Sequence, residues 1–287
     1  MRYSRRQVLL ASAIGAGMLS TRQSTAAKAA RRLKDELGLT LGIQMFSLRA
    51  FSADMALKHA AAVGFEQVEF YKGMLSPNAS ADEIAKIKSL VAEQGLSMSA
   101  HGVNRFGKDT KANEKLFEFA KAIGVKNITA DPEPGVFDQL DELVEEFDIR
   151  IAIHNHGPRH RYNRVVDVLK AIEGHDERIG ACADLGHYIR SGERPTEVIR
   201  LLQGRLYGIH LKDFAEMKDK AEGVILGKGH LDVEAVIDAL IAVKFPSDGA
   251  LSLEYEKNKN DPIADIQECQ KIAAAAIAKA KDARKAS

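Results

Sequence analysis

The stretch Gly180-Ala181-Cys182-Ala183-Asp184-Leu185-Gly186-His187 passes from four small side chains into a carboxylate and then an imidazole. A short apolar run of this kind reads as a strand covered on both faces, with polar groups gathered at its C-terminal end. The same form recurs on either side of it. Arg150–His154 leads into Asn155-His156, Leu206–Leu211 carries His210 and leads into Lys212-Asp213, and Ala250–Tyr255 contains Glu254. Upstream, strand-like runs cover Leu41–Leu48, Gln67–Tyr71 with Glu69, Ser97–Gly102 with His101, and Asn127–Ala130.

Amphipathic helical periods fill the gaps at Asp54–Val63, Ala81–Gln94, Lys111–Ile123, Phe137–Phe147, Tyr162–Ile172, Pro195–Leu202 and Val233–Val243. A last one starts at Ile263. Gly64, Gly95 and Gly124 fall where a left-handed residue would stop a helix. Eight strand–helix units without a long interruption predict an α/β fold, a closed (β/α)8 TIM barrel in one domain over 39–287. An open, doubly wound sheet is the alternative. It calls for a Gly-rich phosphate loop after an early strand, and none follows Leu41–Leu48.

Residues 1–27 read as an export leader. They have a basic start, an apolar stretch from Val8 to Leu19, and small residues at Ser24-Thr25-Ala26-Ala27. Ser4-Arg5-Arg6-Gln7-Val8-Leu9 is similar to a bacterial twin-arginine signal, with a Sec signal or an uncleaved anchor as the alternatives. A linker over 28–38 would follow. Cleavage after Ala27 would remove four arginines and no acid, taking the formal charge from +1 to −3. Such a periplasmic or secreted protein lacks the basic surface of a nucleic-acid binder and would keep no stable membrane association. Cys182 and Cys269, far apart and in apolar runs, read as buried thiols rather than a disulfide framework.

In a barrel of this kind the C-terminal strand ends carry the chemistry. Strand alternation places Asp184 with Cys182 and Gly180, His154 with Ala152, His210 with Gly208, and Glu254 with Ser252 and Ala250. The polar ends therefore stand above small residues on the inward face, and Ile, Leu or Val take the other face. Two imidazoles and two carboxylates converging in an apolar interior need a cation. His154, Asp184, His210 and Glu254 are the expected ligands of one divalent metal ion. The mixed nitrogen and oxygen donors suit Mn²⁺, Zn²⁺, Co²⁺ or Fe²⁺ better than Ca²⁺ without choosing among them; Mn²⁺ is the expected ion, and Mg²⁺ is also compatible.

These motifs, read in order with Gly227-Lys228-Gly229, resemble the xylose-isomerase-like barrel superfamily over Leu39 to about Ala275. The resemblance implies sugar isomerase, epimerase or lyase chemistry and a small sugar or keto-sugar substrate. Barrels of this group often pair, which makes a homodimer a further expectation. In the ketose 3-epimerases of the group the ligands are Glu, Asp, His and Glu, matching His154, Asp184, His210 and Glu254. His154 is a departure: an imidazole bound to metal is a poor proton acceptor, so a mechanism using two ligand carboxylates does not carry over.

Glu254 is then the expected base, and Lys212 the group that stabilises an enediolate or donates a proton, its pKa lowered by the nearby metal cation. His187 and His101 would hold substrate hydroxyls, with Glu69 orienting one and His156 beside them. The bland readings are a solvated Lys212, a Glu69 paired with Lys72 or Arg49, and a His156 that supports a ligand. A lyase acting by β-elimination on 3-keto-glycosides, or a non-catalytic periplasmic sugar-binding protein, would use the same cavity. Endonuclease-like DNA chemistry would need more ligands, for which only His230 is at hand.

Overall fold

The computed structural model describes residues 37–285. The leader read over 1–27, and all of the linker over 28–38 except Leu37 and Gly38, lie outside the described residues. Eight parallel strands close into one barrel: β1 (Leu41–Gln44), β2 (Gln67–Phe70), β3 (Ser97–Phe106), β4 (Asn127–Pro132), β5 (Arg150–His154), β6 (Ile179–Asp184), β7 (Leu206–Leu211) and β10 (Ala250–Leu253). They lie side by side in chain order, and β10 pairs with β1 to seal the ring. Asp213–Phe214 (β8) and Gly223–Val224 (β9), between β7 and β10 in the sequence, form a small antiparallel hairpin.

Helices follow the strands: α1 (Ala53–Val63), α2 (Ala81–Glu93), α3 (Thr110–Ile123), α4 (Phe137–Phe147), α5 (Val165–Ile172), α6 (Leu185–Arg190), α7 (Pro195–Leu201), α8 (Val233–Ala242) and α9 (Ile263–Lys285). Their boundaries have local causes. The Ser80 hydroxyl and Glu83 carboxylate form a reciprocal capping box at α2. Gly64 and Gly124 end α1 and α3 in the left-handed region, at φ 102° and 84°.

Strand alternation sorts the side chains as the pattern requires. Ile151, Ile153, Ala181, Ala183, Ile209, Leu211, Leu251 and Leu253 join the large apolar core with helix residues such as Leu140, Val168 and Val236. Each such aliphatic side chain contributes about 1.5–3 kcal/mol on burial. The inward face carries Ala152 and Cys182, which cluster with Tyr207 where the β6–β7 register shifts. Little room is left there. A Cβ on Gly208 would lie 2.8 Å from the Cys182 sulfur, and one on Gly180 would lie 2.1 Å from the Arg205 carbonyl oxygen. Both cysteines are buried and free, as read.

The structure departs from the sequence reading in several places, four of which have a clear local cause. The first run, read as a strand to Leu48, stops at Gln44, whose side chain accepts from the Phe46 N–H at 3.1 Å and starts a 3₁₀ turn over Met45–Leu48. Leu185 belongs to a helix instead of a strand, because Asp184 caps α6. Tyr162 stays outside α5: its hydroxyl donates to the Pro132 carbonyl at 2.8 Å, and the helix begins after Arg164, whose N–H donates to Asp167. Strand β3 runs on to Phe106, pairing with β4 as far as Pro132.

Gly180→Ala should cost about 2–3 kcal/mol, the penalty for overpacking a tight interior. Urea unfolding would read this as a lower midpoint, and an unchanged midpoint would mean that the Arg205 backbone yields freely.

Candidate functional site

Strand β5 delivers His154, β6 Asp184, β7 His210, and Glu254 follows directly on β10, all at the C-terminal mouth. All four are buried, and one donor atom from each lies within 4.8 Å of the others. His154 Nε2 stands 3.1 Å from His210 Nδ1 and 3.6 Å from Asp184 Oδ2. His210 Nδ1 stands 3.2 Å from Glu254 Oε2 and 3.8 Å from Asp184 Oδ2.

Neighbouring groups fix the direction of each donor. His210 Nε2 lies 3.1 Å from Glu69 Oε2. A carboxylate oxygen accepts, so Nε2 donates and Nδ1 is left to face the cluster. Asp184 Oδ1 is used up in capping α6, accepting from the His187 N–H at 2.8 Å. Its Oδ2 makes no hydrogen bond, although Lys212 Nζ pairs with it ionically at 2.9 Å. Asn155, wholly buried, clamps the Asp184 backbone by donating to its carbonyl at 3.0 Å and accepting from its N–H at 2.8 Å.

The donor set fits a divalent ion. Two imidazole nitrogens 3.1 Å apart, facing two carboxylate oxygens, need a proton or a metal between them, and Asp184 Oδ2 has the Lys212 ammonium at 2.9 Å as its one close partner. The cluster can hold a metal with two nitrogen and two oxygen donors.

Charge is balanced around these groups. Lys212 is buried yet ringed by Asp184 at 2.9 Å, Glu254 at 2.7 Å and Glu256 at 2.6 Å. Burial works against its charge, but the three carboxylates outweigh it and hold the ammonium well above its ordinary pKa. A bound cation would act in the opposite sense, as the sequence reading expected. The group is placed to stabilise negative charge. Burial pulls His187 down to about 3 and His156 to about 2, so both are neutral imidazoles at neutral pH.

A cavity of about 350 Å³ opens over this cluster, and His154, His156, His187, His210, Lys212 and Glu254 all reach it. Phe46 and Tyr71, in edge-to-face contact, belong to the same wall. Two residues expected at the substrate lie elsewhere. Glu69 is fully buried below the cluster; it accepts from His210, from Ser252 at 2.7 Å and from Thr129 at 2.5 Å, and pairs with neither Lys72 nor Arg49. Burial alone would raise its carboxyl, but the His210 charge and these hydrogen bonds bring it below the ordinary value. His101 donates from Nε2 to the Leu75 carbonyl at 2.9 Å, and its Nδ1 accepts from Asn104 at 3.0 Å, so neither nitrogen is free. His230 is exposed and belongs to no metal-competent cluster among the described residues.

Sequence reasoning missed the roles of Asn155, Glu256 and Asp213. Asn155 left a signal, since a buried amide beside two imidazoles must find partners. Glu256 left none. Asp213 explains the Gly227-Lys228-Gly229 motif: its carboxylate accepts from the N–H groups of Phe214, Gly229, His230 and Leu231 at 2.8–2.9 Å. Gly229 is required there because a Cβ would meet the Phe214 carbonyl oxygen at 2.2 Å.

A family model for the xylose isomerase-like TIM barrel matches residues 57–275. A 3-oxo-isoapionate decarboxylase of Pectobacterium atrosepticum is 29% identical over 172 residues, 54% of this chain. The chain spans 60% of the length of that curated relative. A solved structure of an uncharacterized protein from Parabacteroides distasonis is 28% identical, with TM-score 0.64, over 82% of this chain and 97% of that one. An IolI protein with a bound zinc atom shares the fold at 17% identity, with TM-score 0.67, over 84% of this chain and 99% of that one.

Asp213→Ala should leave the Phe214, Gly229 and Leu231 N–H groups without their acceptor, His230 keeping the Phe214 carbonyl at 3.1 Å, and cost about 3 kcal/mol. Limited proteolysis should then cut between 214 and 231 faster than in the wild type; an unchanged cleavage rate would show that the loop is held by other contacts.

Proposed function

Because the chain belongs to the xylose isomerase-like TIM barrel family, we propose that it is a metal-dependent enzyme of the sugar isomerase or epimerase type. It removes a proton from the carbon beside the carbonyl of a sugar or keto-sugar. The observation that carries this reading is the convergence of His154, Asp184, His210 and Glu254 in one cluster, three of whose members, His154, His210 and Glu254, line one cavity. One divalent ion held by these four would act as a Lewis acid, polarising the carbonyl and acidifying the neighbouring C–H.

The chain's own residues divide the remaining work. Glu254 is the base: it reaches the cavity, and burial notwithstanding, Lys212 and His210 keep its carboxyl below the ordinary range and therefore ionised. Lys212, held charged at 2.7 Å from Glu254, stabilises the negative oxygen that forms when the proton leaves. His187 and His156 hold substrate hydroxyls across the cavity. Glu69 fixes His210 from below, as carboxylates commonly do for ligand imidazoles.

A β-elimination on 3-keto-glycosides is the second reading, favoured by His154. An imidazole at this position leaves Glu254 as the one carboxylate base, whereas epimerisation calls for proton transfer on both faces. The related chain named for 3-oxo-isoapionate points to an oxidised sugar framework. The leader-like sequence of residues 1–27 supports a substrate met outside the cytoplasm and, with it, an unphosphorylated one.

Metal-reconstituted protein incubated in D₂O with a panel of ketoses and 3-keto-glycosides, followed by NMR, tests both. Deuterium at the carbon beside the carbonyl is expected, lost by at least about 100-fold in Glu254→Gln. An unsaturated product would select the elimination. No exchange with any of these substrates would leave a sugar-binding protein.

A further inference from the structure

Arg190, the last residue of α6, occupies a position that the proposed chemistry has not used. Its Nη1 lies 3.4 Å from His187 Nδ1. Its Nε donates to the Asp219 carbonyl at 2.7 Å, and its Nη2 reaches the Asp219 carboxylate at 3.4 Å. Its guanidinium carbon sits 5.3 Å from the centre of the Phe214 ring. Asp219 lies in the segment between β8 and β9, and its other carboxylate oxygen meets Arg159 at 3.0 Å. The β8–β9 segment is therefore clasped by two arginines, one of which also touches a cavity imidazole.

A guanidinium has five N–H donors and no acceptor, and it stays charged at any pH the fold survives. An imidazole nitrogen facing it must present a lone pair, so His187 Nδ1 carries no hydrogen. A neutral imidazole then carries its proton on the other nitrogen. His187 lines the cavity, and its Nε2 is turned toward the ligand cluster, 3.8 Å from Asp184 Oδ2. With the opposite tautomer His187 would offer the substrate an acceptor and set an N–H against the arginine.

We propose that Arg190 is a positioning residue that fixes His187 as the Nε2–H tautomer, a hydrogen-bond donor aimed at substrate oxygen, and does so only while Asp219 holds the β8–β9 segment in place. The control of the tautomer by Arg190 and Asp219 rests on this chain's geometry. The donor's use on a substrate oxygen rests on the proposed function. Asp219 thereby couples the seating of an external segment to the hydrogen-bonding polarity of the cavity. The Gly157 position allows the contact, because a Cβ there would lie 3.1 Å from the Arg190 guanidinium.

Long-range ¹H–¹⁵N spectra of the histidine rings in uniformly labelled full chain test this, with His187→Gln assigning the signal. The spectra are recorded without metal and with Zn²⁺. The wild type should show His187 with a protonated Nε2 and an unprotonated Nδ1. Arg190→Met and Asp219→Asn should each move it toward a mixture of tautomers, and Arg190→Lys should restore part of the Nε2–H form. With the substrate found above, kcat should fall about ten-fold in Arg190→Met, the loss of one directed hydrogen bond. A wild-type ring protonated at Nδ1, or a pattern unmoved by both variants, overturns the proposal. Absence of Zn²⁺ binding would instead strike the metal reading and leave the tautomer result standing.

Discussion

Everything at the mouth of this barrel depends on keeping buried negative charge in balance. Glu69, Asp184 and Glu254 are withdrawn from water within one cluster, and isolated carboxylates there would neutralise themselves or destabilise the fold. Lys212 answers part of this charge with its ammonium, and His210 donates from Nε2 to Glu69. What remains is the gap bounded by His154 Nε2, His210 Nδ1, Asp184 Oδ2 and Glu254 Oε2, where a further cation would satisfy every group at once.

The scaffold is arranged around that requirement. Small residues below the polar ends, such as Ala152, Cys182 and Gly208, let the strands approach closely enough for ligands from different strands to meet. Asp184 illustrates the economy of the arrangement: one carboxylate oxygen caps the helix that carries His187 and Arg190, and the other points to the cluster. A change in that cap would thus move the ligand, the cavity imidazole and the arginine together. Asn155 and Asp213 do similar service for the backbone, each holding a loop whose displacement would open the site.

The fold was legible because its signal is periodic and repeated eight times: apolar runs, polar ends, and helices closed by glycine. Alternation was enough to bring His154, Asp184, His210 and Glu254 to one face, since parity along a strand is a local property. The misplaced residues share a different cause. Parity also sends Glu69 inward, but it cannot say at what depth, and depth decides whether a carboxylate meets substrate or the back of a histidine. His101 was read as a hydroxyl binder, but a carbonyl and an amide from its own neighbourhood take both nitrogens. Glu256, from beyond the end of β10, joins Asp184 and Glu254 around Lys212, a partner that the sequence reading did not anticipate. Contacts of that kind depend on loop paths that no periodicity encodes.

The account's central claim is most directly tested by equilibrium metal binding to protein purified without chelators, with Mn²⁺, Zn²⁺ and Co²⁺ titrated in turn. One ion per chain should bind, Asp184→Ala should abolish it, and Glu69→Gln should weaken it by about 10–100-fold through the loss of its hold on His210. A wild-type chain that binds none of these ions, or an Asp184→Ala chain that binds them equally well, would contradict it.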